Sequence, residues 1–519
     1  MRQDIVKVYK TVHTWTGIVA GLFLFVAFYA GALTMFKEPI ARWAAPPPGG
    51  ALTAPEGWAA LVRQAANETK GPFTLHLRDG EDVRARVTWK EGERQMGAEL
   101  DGQGQIAVNE AAPSVLGELV DNLHRTAGLP MDEHDGAAVM GVVSLLYALA
   151  LVSGLVILLP SLVKDFMYLR IGKNAKRMWL DAHNIVGIGS LPFHLVIAWS
   201  AVVFGLHDYI YEAQHATLYE EHHEQRAKGR DDPAAWLAPD ALLAKLRTAA
   251  PGFEPVSMTY RRAPGATRVW IAGHDPAHPM RDGNVGYALL DARTGALAGS
   301  EHLPGVQQGW GAVLSTFFGM HFGNFGGPPV RWTYFFMGLA GAFLFYSGNL
   351  LWIESRRKRQ ARDGLPVAQQ RSARIMAALT VGVCLGCMAG VSLSIAGARW
   401  LHGVVDALTA WHYILYYAVF VGAVAWAFCR GPARASVELL WTCAAMTALI
   451  PAANLSGWTS VSQQAQWLDA TAALGALAFA MLARRMRRRL AMAAPDSVWA
   501  VARGRKGGTQ AEAAPLASG

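Results

Sequence analysis

At 519 residues, with 52% hydrophobic and only 17% charged residues, the chain is too apolar for a soluble protein and too long for one compact core. Its net charge of +8 does not mark a nucleic-acid binder, because no basic stripe carries interleaved aromatic residues. A membrane protein with attached aqueous parts remains.

Runs of about 20 apolar residues, enough to cross roughly 30 Å of hydrocarbon, predict eight transmembrane helices. They lie near 14–36, 137–159, 184–206, 331–353, 375–396, 411–429, 436–455 and 467–484. The first is followed by Lys37 and Glu38 rather than by a small-residue cleavage site, so it stays as an anchor. Arg2, Lys7 and Lys10 precede the first span, and Lys164, Arg170, Lys173, Lys176 and Arg177 fill the loop after the second. Arg356, Arg357, Lys358 and Arg359 follow the fourth, and Arg484, Arg485, Arg487, Arg488 and Arg489 follow the eighth. Every second junction is basic, so both termini are expected in the cytoplasm of a multi-pass protein of a bacterial inner membrane.

The predicted organisation is helix one at 1–36, an outer segment at 37–136, helices two and three at 137–206, a second outer segment at 207–330 and helix four at 331–359. Four further helices fill 375–490, and 491–519 is a flexible tail. All four cysteines, Cys384, Cys387, Cys429 and Cys443, sit in the last four spans. The outer segments therefore rest on their own cores rather than on disulfides.

An internal repeat runs through the first four spans. His-Thr-Trp-Thr-Gly from His13 matches His-Asn-Ile-Val-Gly from His183. Outside, 98–106 resembles 288–296, each a strand, a polar turn and a second strand, and each follows a helical stretch, near 56–68 and 238–249. His124 and His321 each stand before a glycine- or proline-bearing turn and another span, in which Ser153-Gly154 matches Ser347-Gly348. Two copies in one orientation pack about an axis along the membrane normal, which predicts a four-helix bundle with α+β structure above each half.

That axis brings His13 to His183 at the inner end and His124 to His321 at the outer end. A single interfacial histidine is ordinarily a snorkelling or hydrogen-bonded side chain. Two duplicated pairs are instead what two six-coordinate haem irons require, and ionisable residues in spans tend to be functional. No Cys-x-x-Cys-His occurs, so the expected cofactor is two noncovalent b-type haems. His194 lies eleven residues beyond His183, about 16 Å along a helix and on nearly the same face. Its repeat counterpart is apolar, which favours a supporting or propionate role over replacement of an outer ligand. His207, His215, His222 and His223 follow the third span in an acidic helical stretch, where a solvated face or a transient metal are the alternatives. His402 and His412 lie beside Trp400 and Trp411 in an aromatic belt and carry no assignment. Cys384-Leu-Gly-Cys387 has redox spacing but no neighbouring charge to form a thiolate, and reads as buried packing.

His-Thr-Trp-Thr-Gly from His13, Leu123-His124-Arg125, His-Asn-Ile-Val-Gly from His183, Leu-Pro-Phe-His-Leu from Leu191 and Met-His-Phe-Gly from Met320 together resemble the PepSY-associated transmembrane family over about 1–360. The resemblance implies PepSY-type domains in the periplasm, dihaem chemistry and reduction of a ferric siderophore or other periplasmic iron chelate. Met320 stands where leucine is common, and the four C-terminal spans are extra. No Gly-x-Gly-x-x-Gly dinucleotide fingerprint appears, so the electron donor must be separate, a membrane quinol or a cytosolic reductase. The competing expectation is a haem-free membrane protein whose outer domains bind a peptide, protease or siderophore.

Overall fold

The computed structural model describes the chain apart from residues 1–2, 45–51, 79–82, 84, 93, 102, 111–115, 162–169, 171–174, 219–231, 264–265, 279, 281–284, 301, 324, 359–367, 403, 406–407, 455–462, 494–495 and 501–519. His222, His223, Lys164, Lys173 and Arg359 lie outside the described residues, as does most of the expected tail.

Among the described residues, eight helices are long and apolar enough to span a bilayer, as the hydropathy pattern predicts. In the first half they are α1 (Gln3–Thr34), α5 (Glu133–Leu158), α7 (Leu191–Leu218) and α10 (Gly327–Ser355). Shorter helices α2 (Lys37–Ala44), α3 (Trp58–Glu68), α4 (Leu116–Thr126), α6 (Ala175–Gly189), α8 (Pro239–Ala249) and α9 (Trp310–Phe322) lie between them. The second half is α11 (Arg371–Leu401), α12 (Leu408–Arg430), α13 (Pro432–Asn454) and α14 (Gln463–Ala491).

The start of α5 shows how sequence sets an element. Asp132 is its N-cap and accepts a bond from the Asp135 amide at 3.1 Å, with Glu133 and Asp135 in the positive first turn. That amide bond is the main cause holding the Asp132 carboxyl below its ordinary pKa. Beyond the cap, Val142, Leu145, Leu149 and Val152 are exposed at spacings of three and four residues. They form the stripe a helix turns toward lipid. One predicted span is divided: α6 ends at Gly189 and α7 begins at Leu191. Pro192 has no amide hydrogen for the preceding turn and its ring crowds that turn's carbonyl.

Helix α1 of the first copy packs on α10 of the second, and α5 of the first on α7 of the second. An exchange of the two copies therefore maps the bundle onto itself. The outer segments obey the same exchange. Strands β1 (Phe73–His76), β2 (Val87–Glu91), β3 (Arg94–Leu100) and β4 (Ile106–Glu110) come from the first, and β5 (Glu254–Ala263), β6 (Ala266–His274), β7 (Gly286–Asp291) and β8 (Leu297–Gly299) from the second. They form one antiparallel sheet in the order β4-β3-β2-β1-β5-β6-β7-β8. The two α+β units are thus joined edge to edge, which covers the strand edge each would otherwise expose.

At the β1–β5 seam Phe73 stacks on Tyr260 at 5.0 Å, Trp236 stacks on Tyr260 at 5.5 Å, and Thr74 meets Thr259 at 2.9 Å. Leu61, Leu75, Val87, Leu242, Ile271 and Leu290 belong to one shared core. The second helix bundle is fastened beside α1 through α2. Trp43 donates its indole N–H to Asp469 at 3.0 Å, and Arg399 donates to the Trp43 carbonyl at 2.7 Å with its guanidinium 4.3 Å from that ring.

Candidate functional site

The four repeat histidines meet as two pairs. His13 on α1 faces His183 on α6 with ring centroids 6.2 Å apart and planes at 79°, and His124 on α4 faces His321 on α9 at 6.2 Å and 43°. The first pair lies at the end of the bundle where α1 begins, the second at the end that carries the sheet.

Hydrogen bonding fixes which nitrogen each ring offers. His13 Nδ1 is 2.8 Å from the Ala150 carbonyl and His124 Nδ1 is 2.8 Å from the Ala27 carbonyl. A carbonyl only accepts, so both Nδ1 atoms carry the proton. His183 Nδ1 is 3.0 Å from Ser347 Oγ, and His321 Nδ1 is 2.6 Å from Ser200 Oγ. Each hydroxyl already donates to its own helix, Ser347 to the Leu344 carbonyl at 2.9 Å and Ser200 to the Val196 carbonyl at 2.6 Å. Both oxygens therefore accept from the imidazole. With the serine hydrogens assigned to their own helices, all four rings share the Nδ1–H tautomer, with the Nε2 lone pair left for a metal.

Glycines make this approach possible. A Cβ at Gly154 would lie 2.9 Å from His13 Cε1, one at Gly31 would lie 2.7 Å from His124 Nδ1, and one at Gly348 would lie 3.5 Å from His183 Cε1. Gly17, one turn beyond His13, has nothing within 4 Å of that position, and Gly187, one turn beyond His183, has only a Leu344 methyl at 3.5 Å. An imidazole nitrogen binds a first-row metal ion at about 2 Å, and centroid separations of 6.2 Å would leave room for one metal ion between the rings of each pair. Tautomer, spacing and glycine clearance all fit a bis-histidine haem. No group of three or more metal-binding side chains occurs among the described residues, so the pairs are the arrangement on which such chemistry would rest.

His194 occupies neither pair. It is fully buried, its Nδ1 lies 2.5 Å from the Tyr147 hydroxyl, and its Nε2 has no partner among the described residues. Phe28, Phe193 and Phe345 close around the two rings. Cys384 and Cys387 are buried and unpaired. His207 bonds Asp208 at 3.0 Å on the exposed surface, where His134 also reaches Asp208 at 3.3 Å.

Sequence reasoning missed the two serines. Ser347 was visible as part of a repeated Ser-Gly, but its counterpart Ser153 bonds its own helix instead, at 2.6 Å to the Leu149 carbonyl. Ser200 aligns with Ala30 at the offset that matches His183 to His13, so no repeat signal could point to it.

Fold and site together define a duplicated membrane bundle with a paired-histidine centre at each end and a joined sheet above one of them. Residues 10–355, more than half of the chain, match the family described as PepSY-associated TM region. The chain belongs to that family. No curated protein matches it.

Proposed function

We propose that the chain is an inner-membrane electron carrier with two b-type haems that reduces a ferric siderophore or ferric chelate in the periplasm. The observation that carries this reading is the uniform state of the four imidazoles: each Nδ1–H is engaged and each Nε2 is free to ligate. His13 and His183 would hold the inner haem, and His124 and His321 the outer one, while His194 and Tyr147 occupy the apolar space between as packing and hydrogen-bonding support. When bound, such haems supply one-electron redox chemistry at both membrane faces.

The basic junctions lie at the end where α1 begins, which supports a cytoplasmic position for that end and a periplasmic one for the sheet. The outer pair then emerges directly beneath the sheet, where an acceptor can be positioned. Iron(III) is held far more tightly than iron(II) by hard oxygen ligands, so one electron loosens it.

Stopped-flow reoxidation of prereduced protein in oriented vesicles tests this with a membrane-impermeant ferric chelate. Fast reoxidation from the sheet-bearing face is expected for wild type and slow reoxidation for His124→Ala. Equal rates, or reaction only from the opposite face, would overturn it. A colourless purified protein would favour the haem-free binding role instead.

A further inference from the structure

The last four spans lie outside the matched family region, and α12 carries their most unusual face. His412 and Tyr416 are one turn apart on it, and both are 0% exposed. Among the described residues neither ring nitrogen of His412 has a hydrogen-bond partner, and the Tyr416 hydroxyl has no oxygen or nitrogen partner, only the weakly bonding Cys387 thiol beside it. Burying such groups unpaired is costly, and each case calls for a ligand or a water that satisfies them.

The adjoining face of the same helix is fully engaged. Asn122 donates to the Tyr413 hydroxyl at 3.0 Å, and the Tyr417 hydroxyl donates to the Gly128 carbonyl at 3.3 Å. Both contacts go to α4 and the turn after it, the segment that bears His124. A Cβ at Gly128 would stand 3.1 Å from the Tyr416 hydroxyl, so the unpaired face borders that turn too. On its other flank α12 presents Trp411 (40% exposed) and Ile414 (51% exposed) outward, toward lipid. Behind it, a Cβ at Gly390 of α11 would touch the Tyr416 ring at 3.0 Å, and Ser394 donates to the His412 carbonyl at 3.1 Å.

We propose that His412 and Tyr416 bind the headgroup of a membrane hydroquinone, and that this is the electron donor beside the outer histidine pair. A hydroquinone carries oxygens on opposite sides of one ring, which suits an imidazole and a phenol separated by one helical turn. It is lipid-soluble, which suits a helix that turns Trp411 and Ile414 toward lipid. Its oxidation to the quinone releases two electrons and two protons. The electrons would leave singly by way of the haem that His124 and His321 would hold and reduce two ferric acceptors to ferrous, and the two protons would pass by way of His412 to the aqueous phase at the sheet-bearing end. A two-electron donor serving a one-electron acceptor needs a place for the second electron, which a haem held by His13 and His183 would supply. The donor role rests on the haem reading above, whereas quinone binding does not.

The test uses the full chain in nanodiscs with decylubiquinone as probe, its binding followed by tryptophan quenching and its position by photolabelling with an azido-benzoquinone analogue. Saturable binding and labelling within 408–420 are expected. His412→Gln and Tyr416→Phe should each weaken binding about tenfold, the equivalent of one lost hydrogen bond. Reduction by decylubiquinol should slow in both variants while the dithionite-reduced spectrum stays unchanged. His412→Leu gives the same readout should the glutamine retain a bond. No saturable binding in wild type, labelling elsewhere, or variants that bind as wild type would overturn the proposal. Lost binding in a protein found to lack haem would support the site and sink the haem reading alone.

Discussion

The two helix bundles treat their buried histidines in opposite ways. In the first, four imidazoles each give their Nδ1–H to an acceptor on a neighbouring helix, and His13, His124 and His183 lie against glycines that leave them room. In the second, His412 is more deeply buried, and neither nitrogen has a hydrogen-bond partner among the described residues. A fixed tautomer suits ligation, whereas an untied imidazole keeps both of its nitrogens available to a ligand. The glycines differ as well. Gly31 and Gly154 accommodate rings of the site, while Gly382 and Gly386 of α11 bring its backbone close to α12: a Cβ at Gly382 would stand 2.7 Å from Val424 Cα.

The sharpest way to break this comparison is haem stoichiometry. Pyridine haemochrome analysis should return about two haems per chain, halved by His13→Ala or His183→Ala through the inner site and by His124→Ala or His321→Ala through the outer one. His412→Gln should leave both in place. Loss of haem in that variant, or full haem in the other four, would erase the distinction between the bundles.

Removing the serine acceptors should act less strongly. Ser347→Ala and Ser200→Ala free one Nδ1–H each, and loss of such a supporting bond costs about 10–100-fold in metal affinity. Each should therefore release its own haem more readily in competition with apomyoglobin, Ser347→Ala the inner and Ser200→Ala the outer. Unchanged retention in both would show that the tautomer is held by something else.

Glycine substitutions separate site from scaffold. Gly31→Val should distort the low-spin spectrum of the outer haem, because its Cβ meets the His124 ring. Gly382→Val should instead cost about 1–3 kcal/mol of stability by overpacking, seen as a lower Tm with the spectrum intact. A spectral change in Gly382→Val would refute this division. The smallest effect is expected for Tyr147→Phe, which removes the bond to His194 at a cost of about 1 kcal/mol and leaves two haems bound. If His194→Ala abolishes a haem while His124→Ala and His321→Ala do not, the outer assignment is wrong.

The sequence by itself determined the membrane class, the eight spans and the pairing of His13 with His183 and of His124 with His321. Apolar run length and a duplicated motif are properties of the chain that need no packing to be read. It also marked the strand pairs near 98–106 and 288–296, because a polar turn between alternating segments is local. Only the tertiary structure decided what depends on atoms far apart in the chain. The two outer units join through β1 and β5, whose contact across Phe73 and Tyr260 is an edge pairing that strand patterning does not specify. The imidazole tautomers depend on carbonyls of Ala27 and Ala150 and on Ser200, and backbone acceptors leave no residue signature. The unpaired face of His412 and Tyr416 emerged the same way, since whether a buried polar atom finds a partner is settled by packing rather than by spacing.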